Sequence, residues 1–383
     1  MIKIENPEIG NIAQEYFEDV KEKIKERCSF IILILDVLYR GSNYDVLNNF
    51  RLIHGKTRIA IVNKFLRTKL ENQTHYSRVQ RNNTFAWVFE NVTAFQAIAT
   101  YLNDDTVLNE LILCSPENAI DTENSIKAIV STPVLSNELK SFISMIIDYS
   151  LFDKYAYGIA SKLNINTCPY CNRNYINTVI DKNKQGIIRP TFDHFFPQTH
   201  HPFLALSFYN LIPSCYYCNS SLKSATPTSI DTHIHPYYEG YDSDTTFNIV
   251  INRCKPAKSD PENYLLEFKD NTNPLSPNDR FRKIYGGSRT TSNVNEGNLN
   301  LFKLQDIYQS HLDIVGELIV KCDKLNSWYA GSLLSIFELL GTNKSEFYQY
   351  YFGNYINEKD FNRRPMAKLT KDVVSQRLPK FVK

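Results

Sequence analysis

The chain has no apolar run long enough to cross a bilayer: its strongest, Phe30 to Leu35, ends at Asp36, far short of the roughly 18–20 residues a spanning helix needs. Residues 1–8 (MIKIENPE) also lack a basic stretch leading into an apolar one, so no secretory leader is expected and a cytoplasmic protein is. Charge of one sign is missing too. Lys and Arg number 43 against 41 Asp and Glu, a formal balance of +2, so the whole molecule carries no electrostatic signature of nucleic-acid binding and any basic surface must be local. There is no Walker loop. The nearest fragment, Gly341 to Ser345 (GTNKS), lacks the glycine before its lysine and the one upstream, so any ATP-driven step must occur in another protein. No internal repeat is evident, and four of the eight cysteines, Cys28, Cys114, Cys254 and Cys322, stand alone and read as small core residues.

What is present is enough apolar material for a sizeable core: 383 residues, 43% hydrophobic and 13% aromatic, imply two or three domains. Residues 1–150 read as helices, charged on one face over Gln14–Arg27, apolar over Phe30–Arg40 and helically spaced over Phe95–Leu113. With 16 basic and 19 acidic residues, a net of −3, this segment is assigned to scaffolding or partner contact. Residues 151–250 change character, with strand-like stretches, polar turns and five of the eight histidines. There Asp181 to Gly186 (DKNKQG) signals a turn between Tyr175–Ile180 and Ile187–Phe192. From 251 to 383 the count is 20 basic and 15 acidic, a net of +5, partly in the tail Arg363 to Lys371. A loose stretch, Asp270–Asn300, precedes one expected helical stripe from Phe302 to Cys322. The tail reads as a solvated helix face or a modest phosphate-facing one.

The other four cysteines form two pairs, Cys168-Pro-Tyr-Cys171 and Cys215-Tyr-Tyr-Cys218. Two such pairs can turn four soft thiolates toward one point, the donor set of a closed tetrahedral zinc site, and a reducing compartment favours metal over disulfides. Buried thiols or a redox pair are the other readings; a thioredoxin-like one needs a βαβ setting that neither pair has. Between the pairs lie Asp193-His194 in an aromatic run and Asn210 in the phrase YNLIP; after them come Asn219 and Lys223, at a helix-compatible spacing of four. Alone, an Asp-His dipeptide means little.

The order Cys-x-x-Cys, Asp-His, Asn-Leu-x-Pro, Cys-x-x-Cys-Asn-x-x-x-Lys, from Cys168 to Lys223, resembles the HNH endonuclease motif. The resemblance implies an α+β chain, mostly helical, around a small ββα-metal module with a four-cysteine zinc site. Domains are then expected at 1–150 (helical), 151–250 (nuclease module) and 251–383 (helical, mildly basic). Many family members carry His where this chain has Asn219, and an Asp–Asn pair of hard oxygens favours Mg²⁺ or Mn²⁺. His194 is then the general base, Asp193 and Asn219 hold the cation, Asn210 braces the loop that aims His194, and Lys223 meets a phosphate or sits on a solvated helix face.

Further along, His233 and His235 in Asp231–Glu239 would share one face of a strand, either within reach of a phosphate or of the metal's outer shell, or as two surface histidines in a loop. His200 and His201 fall between the two strands and read as structural or near the nucleic acid. The fuller phrases TCPYCNRNY, FDHFFP and LALSFYNLIPSC are similar to bacterial HNH proteins of phage defence, most like the nuclease subunit of Septu-type systems. That implies DNA as substrate and a partner ATPase of the ABC/SMC-like class; a homo- or hetero-oligomer is left open. A stand-alone restriction or modification-dependent endonuclease, an RNA target, and an inactive zinc-stabilised nucleic-acid-binding subunit are the competing expectations.

Overall fold

Apolar residues four apart, Ile12, Tyr16, Val20, Ile24 and Cys28, line one side of a helix and are all buried, which is why the N-terminal segment winds into the long helix Ile9–Arg40. The computed structural model describes residues 1–40, 92–129, 137–183, 185–273, 279–325 and 327–382. Residues 41–91 of the expected N-terminal helical segment lie outside them, as do Lys184 of the turn and 274–278 of the loose stretch. The architecture is α+β: among the described residues, helices accompany three two-stranded antiparallel sheets. No helix among them is long and apolar enough to cross a membrane.

The chain divides into two compact units. One comprises Ala13–Lys154 together with His201–Phe208. Its helices Val92–Tyr101, Asp105–Ile112, Ala119–Ile129 and Asn137–Ile146 surround a core that includes Phe95, Leu108, Leu111, Ile143 and Phe152. The Asp104 carboxylate caps the second of these, accepting from the backbone N–H of Thr106 and Val107. Phe203, Leu204, Ala205 and Leu206 are wholly buried in this unit. Tyr16 Oη donates to Leu206 O at 3.0 Å, Ser207 Oγ to Leu111 O at 2.6 Å, and His201 Nδ1 lies 2.7 Å from the buried Glu123 carboxylate.

The other unit comprises Met1–Ile12, Tyr155–His200 and Tyr209–Lys383, so the cysteine pairs and the C-terminal helices pack together as one body. β1 (Val179–Ile180) and β2 (Gly186–Ile188) flank the expected turn, closed by Asp181 Oδ1 accepting from the Asn183 and Gln185 N–H groups. A Cβ at Gly186 would meet the Tyr157 ring, so any other residue there would force that side chain to shift. β3 (Thr191–His194) pairs with β4 (Leu211–Ser214) in the register Asp193↔Ile212 and His194↔Leu211. β5 (Thr245–Ile251) pairs with β6 (Tyr264–Asp270), and the helix Ala367–Arg377 supports β5 through Asp372 Oδ2, which accepts from Phe247 N at 3.0 Å.

Three expectations change. The loose stretch 270–300 contains the helix Asp279–Tyr285. The single stripe from 302 to 322 is two helices, Leu304–Gln309 and Leu312–Lys324, broken at Ser310-His311. Cys254 is exposed, because it follows β5 in an open connection, whereas Cys28, Cys114 and Cys322 are buried.

Candidate functional site

The Sγ atoms of Cys168, Cys171, Cys215 and Cys218 lie within 4.8 Å of one another, and all four residues are buried. A tetrahedron with zinc–sulfur arms of ~2.3 Å has edges of about 3.8 Å, so the cluster can hold a metal ion such as zinc with little movement. Among the described residues no other group of three or more His, Cys, Asp or Glu has such spacing. Hydrogen bonds from the other thiols push Cys171 and Cys215 down, while burial raises Cys168 and the other thiols raise Cys218. Four thiols at one point cannot all ionise unaided, and a dication resolves that conflict. Two outer donors already face the sulfurs: Arg173 N–H to Cys171 Sγ at 3.4 Å and Asn174 Nδ2 to Cys215 Sγ at 3.3 Å.

Asn172 explains how the first pair turns. It adopts φ +47°, a left-handed conformation that asparagine tolerates, and its N–H reaches Cys168 O at 2.7 Å. Its side chain donates to Phe361 O and accepts from Lys368 N–H, tying the turn to the last helical segment.

Sequence reasoning brought together Asp193, His194, Asn210, Asn219 and Lys223, and the structure gives each a place. Asp193, in the middle of the β3–β4 pair, is 2% exposed. Tyr170 Oη donates to its Oδ2 at 2.6 Å, and Lys223 Nζ to its Oδ1 at 3.1 Å. His194 ends β3 half-buried, and its carbonyl accepts from Lys223 Nζ at 2.5 Å. Asn210 is buried; its Oδ1 accepts from Phe196 N–H at 2.7 Å and its Nδ2 donates to Phe196 O at 3.1 Å, a two-point clasp two residues beyond His194. Asn219 is half-buried, with no side-chain hydrogen bond among the described residues.

Lys223 departs from both expectations, a phosphate contact and a solvated helix face. The segment Tyr217–Lys223 winds as a π-helix, Ser224 N–H reaching Asn219 O at 2.7 Å, and this wider turn changes the direction in which Lys223 leaves the axis relative to Asn219. Its ammonium is 1% exposed and faces Asp193. The availability of Asp193 to a divalent cation is limited for the same reason: the donor chemistry is right, but one oxygen carries an ammonium and the other a phenol.

His233 and His235 lie in irregular backbone, not on a strand, and each is 1% exposed, so neither is a surface histidine. The His235 ring sits 4.3 Å from that of Phe195. Burial, then Lys223, lowers His233 to about 4; burial is also the chief cause that brings His235 to about 3, against a small opposing effect of the Tyr209 backbone. His233 Nδ1 lies 2.8 Å from Thr232 Oγ1, while its Nε2 is buried without a partner among the described residues. His200 is exposed beside Thr199, and His201 belongs to the other unit's Glu123 pair. In the basic tail, Arg363 pairs with Asp360, Lys368 with Asp372 and Lys371 with Glu358, while Arg364 donates to the Gly353 carbonyl, so acidic neighbours neutralise three of its four cations.

Tyr170 was missed. It occupies a spacer position between two cysteines, is fully buried, stacks on Phe302 at 4.4 Å and hydrogen-bonds Asp193. Burial first, then Asp193, holds its phenol protonated. Its signal in the sequence is only that a buried tyrosine needs an acceptor. Thr228, whose hydroxyl donates to Phe195 O, left no signal at all. Compared with protein-family models, with curated proteins and with solved structures, the chain matches none.

Proposed function

We propose that this chain is a metal-dependent HNH-type endonuclease that hydrolyses DNA phosphodiester bonds, acting as the effector nuclease of a bacterial anti-phage defence system beside an ATPase partner. The observation that carries the reading is the antiparallel β3–β4 pair, with Asp193-His194 at the end of one strand, Asn210 at the entry to the other and Asn219 on the helical turn that follows, the two cysteine pairs lying before β3 and after β4. The defence role and the ABC/SMC-like partner rest on the sequence resemblance and on the missing Walker loop.

In this reading the imidazole of His194 takes a proton from the attacking water, since histidine can accept one at neutral pH. The Asn210 clasp on Phe196 limits the motion of the backbone leading away from His194, and Lys223 adds a second restraint at the His194 carbonyl. Zinc in the cysteine cluster is structural, joining the segment before β3 to the one after β4. A divalent cation, Mg²⁺ or Mn²⁺, held by Asp193 and Asn219 would supply positive charge to the phosphate oxygens and the departing 3′ oxygen. Asp193 can take that part only once Lys223 yields its Oδ1.

Plasmid cleavage in Mg²⁺ or Mn²⁺, with and without the ATPase, tests the proposal beside His194→Ala. A loss of at least about a hundredfold is expected, with zinc content and DNA binding retained. Full activity in purified His194→Ala would remove His194 from the role. A second reading, an inactive zinc-stabilised nucleic-acid-binding subunit, is favoured by the closure of Asp193 against Lys223 and Tyr170. It predicts no metal-dependent cleavage under any condition.

A further inference from the structure

The two cysteine pairs use their spacer residues in opposite ways. In the first, Tyr170 is fully buried and serves Asp193. In the second, Tyr216 and Tyr217 are 63% and 57% exposed, although the cysteines on either side of them are buried. Two large aromatic rings are left mostly in water there, although small polar residues would span two metal ligands equally well. The rings stand edge to face, 6.2 Å apart. The Arg173 guanidinium lies 5.9 Å from the Tyr217 ring, and its Nη1 lies 3.5 Å from His311 Nε2; among the described residues it has no ion pair with a carboxylate. A third ring, Tyr175, is 59% exposed, next to Asn174, which donates to Cys215 Sγ.

Resting on the nuclease reading, we propose that Tyr216 and Tyr217, with Arg173 and Tyr175, form a stacking platform for the unpaired bases of a single nucleic-acid strand. Aromatic faces in water, beside a cation that no carboxylate neutralises, match the two parts of such a strand, bases that stack and phosphates that attract positive charge. Paired bases offer no free face to a ring, so duplex is the poorer ligand. The chain's near-neutral charge fits a site that takes more of its affinity from stacking than from tracking the backbone. Position supports the same occupant. Tyr217 and Asn219 belong to one short π-helical segment, Tyr217–Lys223, so an exposed ring and a residue assigned to the phosphodiester are carried by the same element. The substrate class is therefore a strand that is unpaired at, or next to, the bond to be cut.

The test is fluorescence anisotropy of the full zinc-loaded chain, carrying His194→Ala to prevent cleavage, with labelled oligo-dT, oligo-U and a DNA duplex at one fixed salt concentration. Single strands should bind more tightly than duplex, and the dT and U arms tell whether the sugar matters. Tyr216→Ala and Tyr217→Ala should each weaken single-strand binding about tenfold and leave duplex binding unchanged. Tyr217→Trp should retain it, and Tyr217→Leu, which keeps bulk without an aromatic face, should not. Zinc stoichiometry and melting temperature check that each variant folds, and the Trp and Leu variants decide the matter if an alanine variant does not. Equal binding of single strand and duplex, binding that ignores the tyrosines, or no binding of either strand overturns the platform. Cleavage measured in parallel on the unsubstituted His194 chain separates the two ideas. Tyrosine-dependent strand binding without cleavage defeats only the nuclease reading, and cleavage with tyrosine-independent binding defeats only the platform.

Discussion

Replacing Lys223 with methionine removes an ammonium that is 1% exposed and touches Asp193 Oδ1 at 3.1 Å and His194 O at 2.5 Å. What remains is a carboxylate 2% exposed whose single side-chain donor is Tyr170. Breaking one partner out of a buried ion pair costs about 3–5 kcal/mol, because the other charge stays desolvated. Asp193→Asn leaves the ammonium in the same position and should cost a similar amount. The double variant leaves no buried charge, and the Asn amide can still accept from Tyr170, so its cost should approach that of one single variant, about 4 kcal/mol, and not the sum of about 8. The coupling is then on the order of 3–4 kcal/mol, measurable by urea unfolding with zinc release as the readout for this unit. Costs that add within about 0.5 kcal/mol, or single losses below about 1 kcal/mol, would refute the pairing. The same variants also address function. If Asp193 binds the catalytic cation, Lys223→Met frees an oxygen and tightens Mn²⁺ binding, whereas Asp193→Asn weakens it. Mn²⁺ affinity indifferent to both would remove Asp193 from the ligand set.

Asn210→Ala leaves the N–H and C=O of Phe196, a residue 1% exposed, without their partners, so a loss of about 2–4 kcal/mol is expected in denaturant unfolding, together with slower cleavage. His233 and His235 have folded values near 4 and 3, below the ordinary 6.5, so their stabilising effect is complete above pH 6.5 and is lost as pH falls toward those values. The charge of Lys223 helps lower both, and Glu296 opposes it at His233. Stability of this unit should drop by about 1.4 kcal/mol per pH unit per histidine between roughly pH 6 and 4, and His233→Gln should flatten the slope of a pH–urea series. Stripping the metal with a strong chelator should destabilise the segments on both sides of β3–β4, seen as new amide exchange. Asn174→Ala, which loses the donor to Cys215 Sγ, should lower zinc affinity about tenfold in a competition assay.

The candidate metal-ligating set could be read from the chain because its information is local. Four cysteines in two short-spaced pairs carry their chemistry wherever the backbone takes them, and only convergence had to be added. The turn at 181–186 was legible for the same reason, since Asp181 satisfies the backbone a few residues away. Burial was not legible. Lys223 and Asp193 lie thirty residues apart, Tyr170 and Asp193 twenty-three, and no local pattern distinguishes a lysine on a solvated turn from one folded inward by a π-helix. The two tyrosines at 216 and 217 read like their counterpart at 170 until the fold left them in water and buried the other. The sequence by itself determined which groups can bind a metal or carry a proton, because that follows from side-chain chemistry and short spacing. Only the tertiary structure decided which of them are open to a ligand, because desolvation and long-range pairing depend on what packs against each group.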